Sequence, residues 1–122
     1  MTQERITSFI RSLDQGNTSF LNEIEKEAQE AGVPIIRPET QRLLKFLLQM
    51  QKPGRILEIG CAVGFSALLM SEYCEKGCHI TTIENYEKRI LKARENFARA
   101  GKEEEITLLA GDAADILKEL TG

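Results

Sequence analysis

The residues best suited to chemistry lie in one short stretch, Glu58-Ile59-Gly60-Cys61-Ala62-Val63-Gly64-Phe65-Ser66. Two glycines in a GxxxG spacing leave room for a ligand to approach the backbone without meeting side chains. A dinucleotide loop reads GxGxxG and leaves a pyrophosphate on the helix end, but position 62 here is alanine. Glu58 would repel a pyrophosphate, yet it could serve a cationic amino-acid end through water or hydrogen bonds. Two more carboxylates follow. Glu84 comes 24 positions after Gly60, where an acid can accept hydrogen bonds from a ribose diol. Gly111-Asp112-Ala113 offers a carboxylate and a small residue suited to an adenine amino group and its flat ring.

Each feature also has a plainer reading. A GxxxG after a strand can be a tight turn, Glu84 a solvated strand-end carboxylate, and Asp112 a helix cap. Their spacing favours one shared nucleoside site, because all three fall at the carboxyl ends of consecutive predicted strands, where parallel α/β sheets bind ligands.

Those strands come from a change of pattern at Pro53-Gly54. Beyond it, RILEI (55–59), HITTIE (79–84) and ITLLAG (106–111) read as strands. The segments 65–77, 86–101 and 112–120 read as amphipathic helices, with Ile90, Leu91, Ala93, Phe97 and Ala98 of the second turned to the core. This alternation implies an α/β fold of three parallel strands in the order 3-2-1 with crossover helices. Before Pro53 the sequence is a helical preface over 1–52. Ile6, Phe9, Ile10 and Leu13 mark a helix over 3–13, Leu21, Ile24 and Ala28 another over 18–31, and Leu43, Leu44, Leu47, Leu48 and Met50 a third beginning at Pro38. The two parts are expected to be a preface (1–52) and a nucleoside-binding half-domain (53–122).

Composition narrows the function classes. The 122 residues are 42% hydrophobic and 29% charged, as in one globular domain, and the net charge of -3 lacks the basic excess of a dedicated nucleic-acid binder. No stretch approaches the roughly 20 apolar residues of a membrane span. The start, MTQERITSF, lacks the basic and apolar regions of a secretory signal, so a cytoplasmic location without membrane partners is expected. Cys61, Cys74 and Cys78 with the lone His79 do not complete four metal ligands, and free, mostly buried thiols are expected. Lys88, Arg89, Lys92, Arg94 and Arg99 are interleaved with Glu87 and Glu95, which favours a solvated face over an RNA patch.

The runs RILEIGCAVGFSALLM, HITTIEN and ITLLAGDAADIL, with IIRPETQRLLKFLL before them, resemble bacterial members of the caffeoyl-CoA and catechol O-methyltransferase-like family (O-methyltransferase family 3), in particular the tRNA 5-hydroxyuridine methyltransferases. The resemblance implies a Rossmann-like methyltransferase half-domain that binds S-adenosylmethionine. It places Glu58, Gly60 and Gly64 along the methionine portion and Ser66 on the cofactor carboxylate, with Cys61 a small filler among the loop's cofactor-binding residues. It further sets Glu84 on the ribose hydroxyls, Asp112 and Ala113 on the adenine, and Ile36 closing over the cofactor. The acceptor it implies is a hydroxyl, in tRNA or on a small catechol-like phenol. The family's divalent metal, Mg, is held by an aspartate after a fourth strand and a later Asp-Asn pair. None of these ligands occurs before Gly122, so the expectation is a cofactor-binding fragment of an enzyme of roughly 200 residues. Such a fragment is expected to have no catalytic or metal-binding residues, to be inactive by itself, and to self-associate through the exposed first strand. A nicotinamide-dependent oxidoreductase and a non-catalytic nucleoside-binding module are the competing readings.

Overall fold

The computed structural model describes residues 2–6 and 16–121. Residues 3–6 are helical, and the rest of the helix expected over 3–13 lies outside the described residues. Helix α1 (Ser19–Glu30) starts where the Thr18 side chain accepts a hydrogen bond from the Leu21 N–H at 3.3 Å. Its Leu21, Ile24 and Ala28 recur at helical spacing and are buried. Helix α2 (Pro38–Gln51) starts on proline, whose fixed φ and missing N–H suit the first turn, and ends at Lys52 in the left-handed conformation.

Strands β1 (Arg55–Ile59), β2 (His79–Glu84) and β3 (Ile106–Ala110) form one parallel sheet in the expected order. Ile59 pairs with Ile83, and Glu84 with Ala110, so the three carboxyl ends finish together at one edge. Helices α3 (Phe65–Tyr73), α4 (Glu87–Arg99) and α5 (Ala113–Thr121) complete the alternation. One core joins Leu21, Ile24 and Leu48 of the preface to Phe65, Leu68 and Leu69 of α3, Ala93 and Phe97 of α4, and Ile80, Ile106 and Leu108 of the sheet. Burying each of these large side chains contributes on the order of 1.5–3 kcal/mol.

Two expectations are corrected. Helix α3 stops at Tyr73 rather than running to 77, because Cys74 turns extended and Gly77, at φ 92, takes the chain round to β2. In α4, Leu91 (65% exposed) and Ala98 face solvent. The inward stripe runs through Ala93, Asn96 and Phe97 and leaves those two positions on its flank. In α2 the inward positions are Gln41, Lys45 and Leu48, while Leu43, Leu47 and Met50 point out. Leu57 and Ile59 of β1 alternate away from the core and are 50% and 59% exposed.

Candidate functional site

Gly60 follows β1 at φ 84, a backbone conformation that costs other residues energy, and an added Cβ there would meet nothing within 4 Å. Its N–H donates to the Ile83 carbonyl at 2.7 Å, which carries the ladder one residue past the strand. Ala62 is also left-handed, at φ 49. Gly64 (φ 91) is the residue from which α3 departs, and a Cβ there would lie 2.6 Å from Phe97 Cε1. The two glycines therefore serve different needs. Gly60 opens the backbone to the outside, whereas Gly64 lets α4 press against the loop from behind.

Glu84, 7% exposed, holds this loop. Its Oε1 accepts the Ala62 N–H at 2.8 Å, and its Oε2 accepts the N–H groups of Asn85 and Tyr86, each at 3.1 Å. Its own carbonyl accepts the Gly111 N–H at 2.9 Å, which links the second strand end to the third. The carboxylate expected on a ribose is thus already bonded to the backbone of the glycine loop.

Glu58 points toward α3. Ser66 Oγ donates to its Oε2, and Thr82 Oγ1 donates to its Oε1 at 2.7 Å. Burial pushes this carboxyl above its ordinary value; the two hydroxyl bonds oppose the rise, and the charge of Glu84 adds to it. Cys61 is buried in the same loop, where desolvation lifts its thiol to about 12, so it packs as a small side chain and is no nucleophile. Asp112 is exposed and Oδ1 accepts the N–H groups of Ala114 (2.9 Å) and Asp115 (3.2 Å), a helix cap with its second oxygen left over. Ala113 beside it is half-buried.

Ile36, half-buried, reaches the loop from the preface. A cavity of about 70 Å³ is lined by Pro34, Ile35 and Ile36 of the preface together with the loop residues Gly60 to Val63, Phe65 and Ser66. Every expected site residue therefore lies in the loop, at the strand ends beside it, or along this cavity. Among the described residues no group of three His, Cys, Asp or Glu side chains could hold a metal ion. The three cysteines are free, and His79 Nε2 lies 2.7 Å from Thr107 Oγ1 at the opposite end of the sheet. The basic side chains of α4 are partly spent on α1: Lys92 and Arg99 pair with Glu27 at 3.4 and 3.0 Å.

Two side chains that sequence reasoning passed over complete the frame. Asn96, 1% exposed, donates from Nδ2 to the Val63 carbonyl at 2.8 Å. Gln41, also buried, donates from Nε2 to the Ile36 carbonyl at 2.8 Å. The available signal was a polar residue at an inward helical position in each case, since such a group stays buried only where its hydrogen bonds are met.

Comparison with known proteins gives the same picture. A sequence model of the family described as O-methyltransferase matches residues 11–122. A catechol O-methyltransferase of Niastella koreensis is 33% identical over 93 residues, which cover 75% of this chain and 42% of that protein. Another, from Mycobacterium tuberculosis, is 28% identical over 119 residues, covering 96% and 54%. Among solved structures, an O-methyltransferase from Bacillus cereus in complex with SAH superposes with a TM-score of 0.81 at 26% identity, covering 96% of this chain and 54% of that one. An SAH-bound methyltransferase of Podospora anserina gives 0.82 at 30% identity, covering 98% and 53%. The chain spans about half the length of the curated relatives it matches. Its strand order, its glycine loop and a family match over nearly all its residues agree, and the chain belongs to the O-methyltransferase family.

Proposed function

We propose that this chain forms the S-adenosylmethionine site of an O-methyltransferase, in which residues 1–52 are a helical preface and residues 53–122 the cofactor-binding half of the domain. The observation that carries this reading is the meeting of the Gly60–Gly64 loop, Glu84 and Asp112 at one edge of a parallel sheet, tied by the Glu84 bonds to Ala62 and Gly111. When bound, S-adenosylmethionine would supply an electrophilic methyl group on its sulfonium, which an acceptor hydroxyl oxygen would take with release of S-adenosylhomocysteine and of the hydroxyl proton to water.

The protein's part at this edge is to bind and orient. Gly60 offers open backbone to the methionine end, Cys61 and Gly64 shape the turn, and Ile36 closes the far side of the cavity. Glu58 and Glu84 at the two strand ends beside the loop would, when ionised, attract the cationic end of the cofactor. Ser66 has one hydroxyl proton and donates it to Glu58. Donation to a cofactor carboxylate therefore requires that bond to be exchanged. Glu84 has about four acceptor positions, and three backbone N–H groups use three of them. One ribose hydroxyl fits the fourth, and a second would compete with a backbone donor. The free oxygen of Asp112 and the small Ala113 suit the adenine amino group and ring.

The acceptor class belongs to the same proposal: a hydroxyl, either 5-hydroxyuridine in tRNA or a catechol-like phenol, methylated by a cytoplasmic protein. The net charge of -3 leaves general phosphate attraction weak, and two curated relatives are named catechol O-methyltransferases, so the phenol is the better supported. No described helix is long and apolar enough to cross a membrane. The apolar Leu57 and Ile59 on the open edge strand support self-association, which light scattering tests: a stable monomer at high concentration counts against it.

Titration calorimetry with S-adenosylmethionine, S-adenosylhomocysteine and NAD tests the cofactor. Saturable binding of the sulfonium compound and its product, with NAD at least tenfold weaker, is expected. A preference for NAD would move the protein to the oxidoreductase reading. Methyl transfer from labelled cofactor to tRNA or to catechol then separates the acceptors.

A further inference from the structure

We infer that helix α1, which lines no part of the small cavity, is the strut that sets its width, with Gln41 and Asn96 as the positioning residues that carry its hold to the two walls. The inference rests on the reading of that cavity as the cofactor's methionine subsite.

Two hydrogen-bonded chains run outward from α1. On one side, Glu25 Oε2 accepts from Gln41 Nε2 at 3.0 Å, and the same amide nitrogen donates to the Ile36 carbonyl. On the other, Glu27 accepts from Arg99 at 3.0 and 3.2 Å, Arg99 donates to Asn96 Oδ1 at 2.9 Å, and Asn96 Nδ2 donates to the Val63 carbonyl. Ile36, from the extended segment before α2, and Val63, from the glycine loop, both line the cavity. Residues two apart on a helix point about 200° apart, so Glu25 and Glu27 reach α2 and α4 from opposite flanks of α1. The helix itself cannot drift, because Leu21, Ile24 and Ala28 are buried in the core.

The chemistry of the two amides makes them suited to this task. A buried amide has two donor hydrogens and one acceptor oxygen with fixed directions. Gln41 uses both hydrogens on Glu25 and Ile36, and its oxygen accepts from Asn17 Nδ2 at 2.9 Å. Asn96 bonds Val63 and Arg99 through its two ends. Aliphatic side chains of similar volume would fill the same space but hold neither carbonyl. Packing alone would accept them; a positioning role would not.

Gln41→Leu and Asn96→Leu test this, with binding of S-adenosylhomocysteine and amide hydrogen exchange of the ligand-free protein as the two readouts. Each variant is expected to weaken binding about tenfold at a temperature where it remains folded. Asn96→Leu should also speed exchange at Ala62 and Gly64 about tenfold while leaving Ile80 to Ile83 of β2 protected. The double variant Glu25→Ala/Glu27→Ala alters two partly exposed side chains and leaves the buried Leu21, Ile24 and Ala28 in place, and a smaller shift in the same direction, about threefold, is expected. Loop exchange and affinity within twofold of the parent in the Glu25→Ala/Glu27→Ala protein would overturn the inference. Should the parent protein fail to bind S-adenosylhomocysteine, the cofactor reading falls, and loop exchange alone decides whether α1 acts as the strut.

Discussion

The two ends of the candidate site are built differently. At the β1 end, the loop from Gly60 to Ser66 is held by Glu84 from β2, by Asn96 and Phe97 from α4, and by the Ser66 bond to Glu58. At the β3 end, an exposed Asp112 caps α5, and Gly111 is tied back through its N–H to Glu84. A cofactor reaching across both would find the pocket for its amino-acid end preorganised and the support for its base adjustable. Preorganisation lowers the ordering cost of binding, so affinity should depend mainly on the β1 end.

Gly64→Ala is the strongest test of that contrast. The new Cβ would lie 2.6 Å from Phe97 in a backbone held at φ 91, combining overlap with left-handed strain. A loss of about 2–4 kcal/mol in stability is expected, with cofactor binding abolished. Denaturant unfolding and calorimetry measure the two. A variant with parental stability would mean that α4 is free to withdraw and that the loop is not rigidly backed. Glu84→Ala comes next. It strips three backbone N–H groups of their acceptor, and about 1–3 kcal/mol of stability and at least tenfold in cofactor affinity should go with them. Glu84→Gln, which keeps one acceptor oxygen, should fall between the parent and Glu84→Ala; equal losses in Glu84→Gln and Glu84→Ala would assign the effect to charge rather than to loop bonding.

The difference between the ends also explains what was legible in the sequence. The strands could be read because β-branched residues and short apolar runs mark a parallel sheet, and strand ends in register bring Gly60, Glu84 and Asp112 to one edge without any knowledge of side-chain contacts. The holding interactions could not, because they are long-range. Asn96 meets Val63 across 33 positions and Arg99 meets Glu27 across 72, and nothing in the local pattern announces either. Helix α2 shows the same limit in reverse. Its leucines mark the helix but not its inward face, where Gln41 answers the Ile36 carbonyl and Lys45 lies over the Tyr73 ring at 4.7 Å.

The third test uses acidity at the braced end. Burial raises the Glu58 carboxyl above its ordinary 4.5 in the folded protein, so the folded state binds the proton more tightly than the unfolded chain. Its contribution to stability is therefore fully present below the unfolded value and is lost as pH rises through the folded one. Glu58→Gln removes this titration. A flatter stability curve on the acid side above 4.5 is expected, with a modest gain in melting temperature at neutral pH. An unchanged curve in thermal melts at several pH values would mean that the hydroxyls of Ser66 and Thr82 fully offset the burial.

Asp112→Asn should have the smallest effect and is the sharpest probe of the open end. Asparagine keeps an oxygen for the N–H groups of Ala114 and Asp115, so the cap survives and stability should change by no more than a few tenths of a kcal/mol. What changes is the second oxygen, which becomes an amide donor that cannot accept from an adenine amino group. If that oxygen holds the base, affinity for S-adenosylhomocysteine should drop about threefold to fivefold at constant stability. An unaltered affinity would leave Asp112 as a cap alone and remove the only polar support proposed for the adenine. The β1 end would then carry the binding by itself, and the contrast between a braced and an open end would become one between a site and the surface beside it.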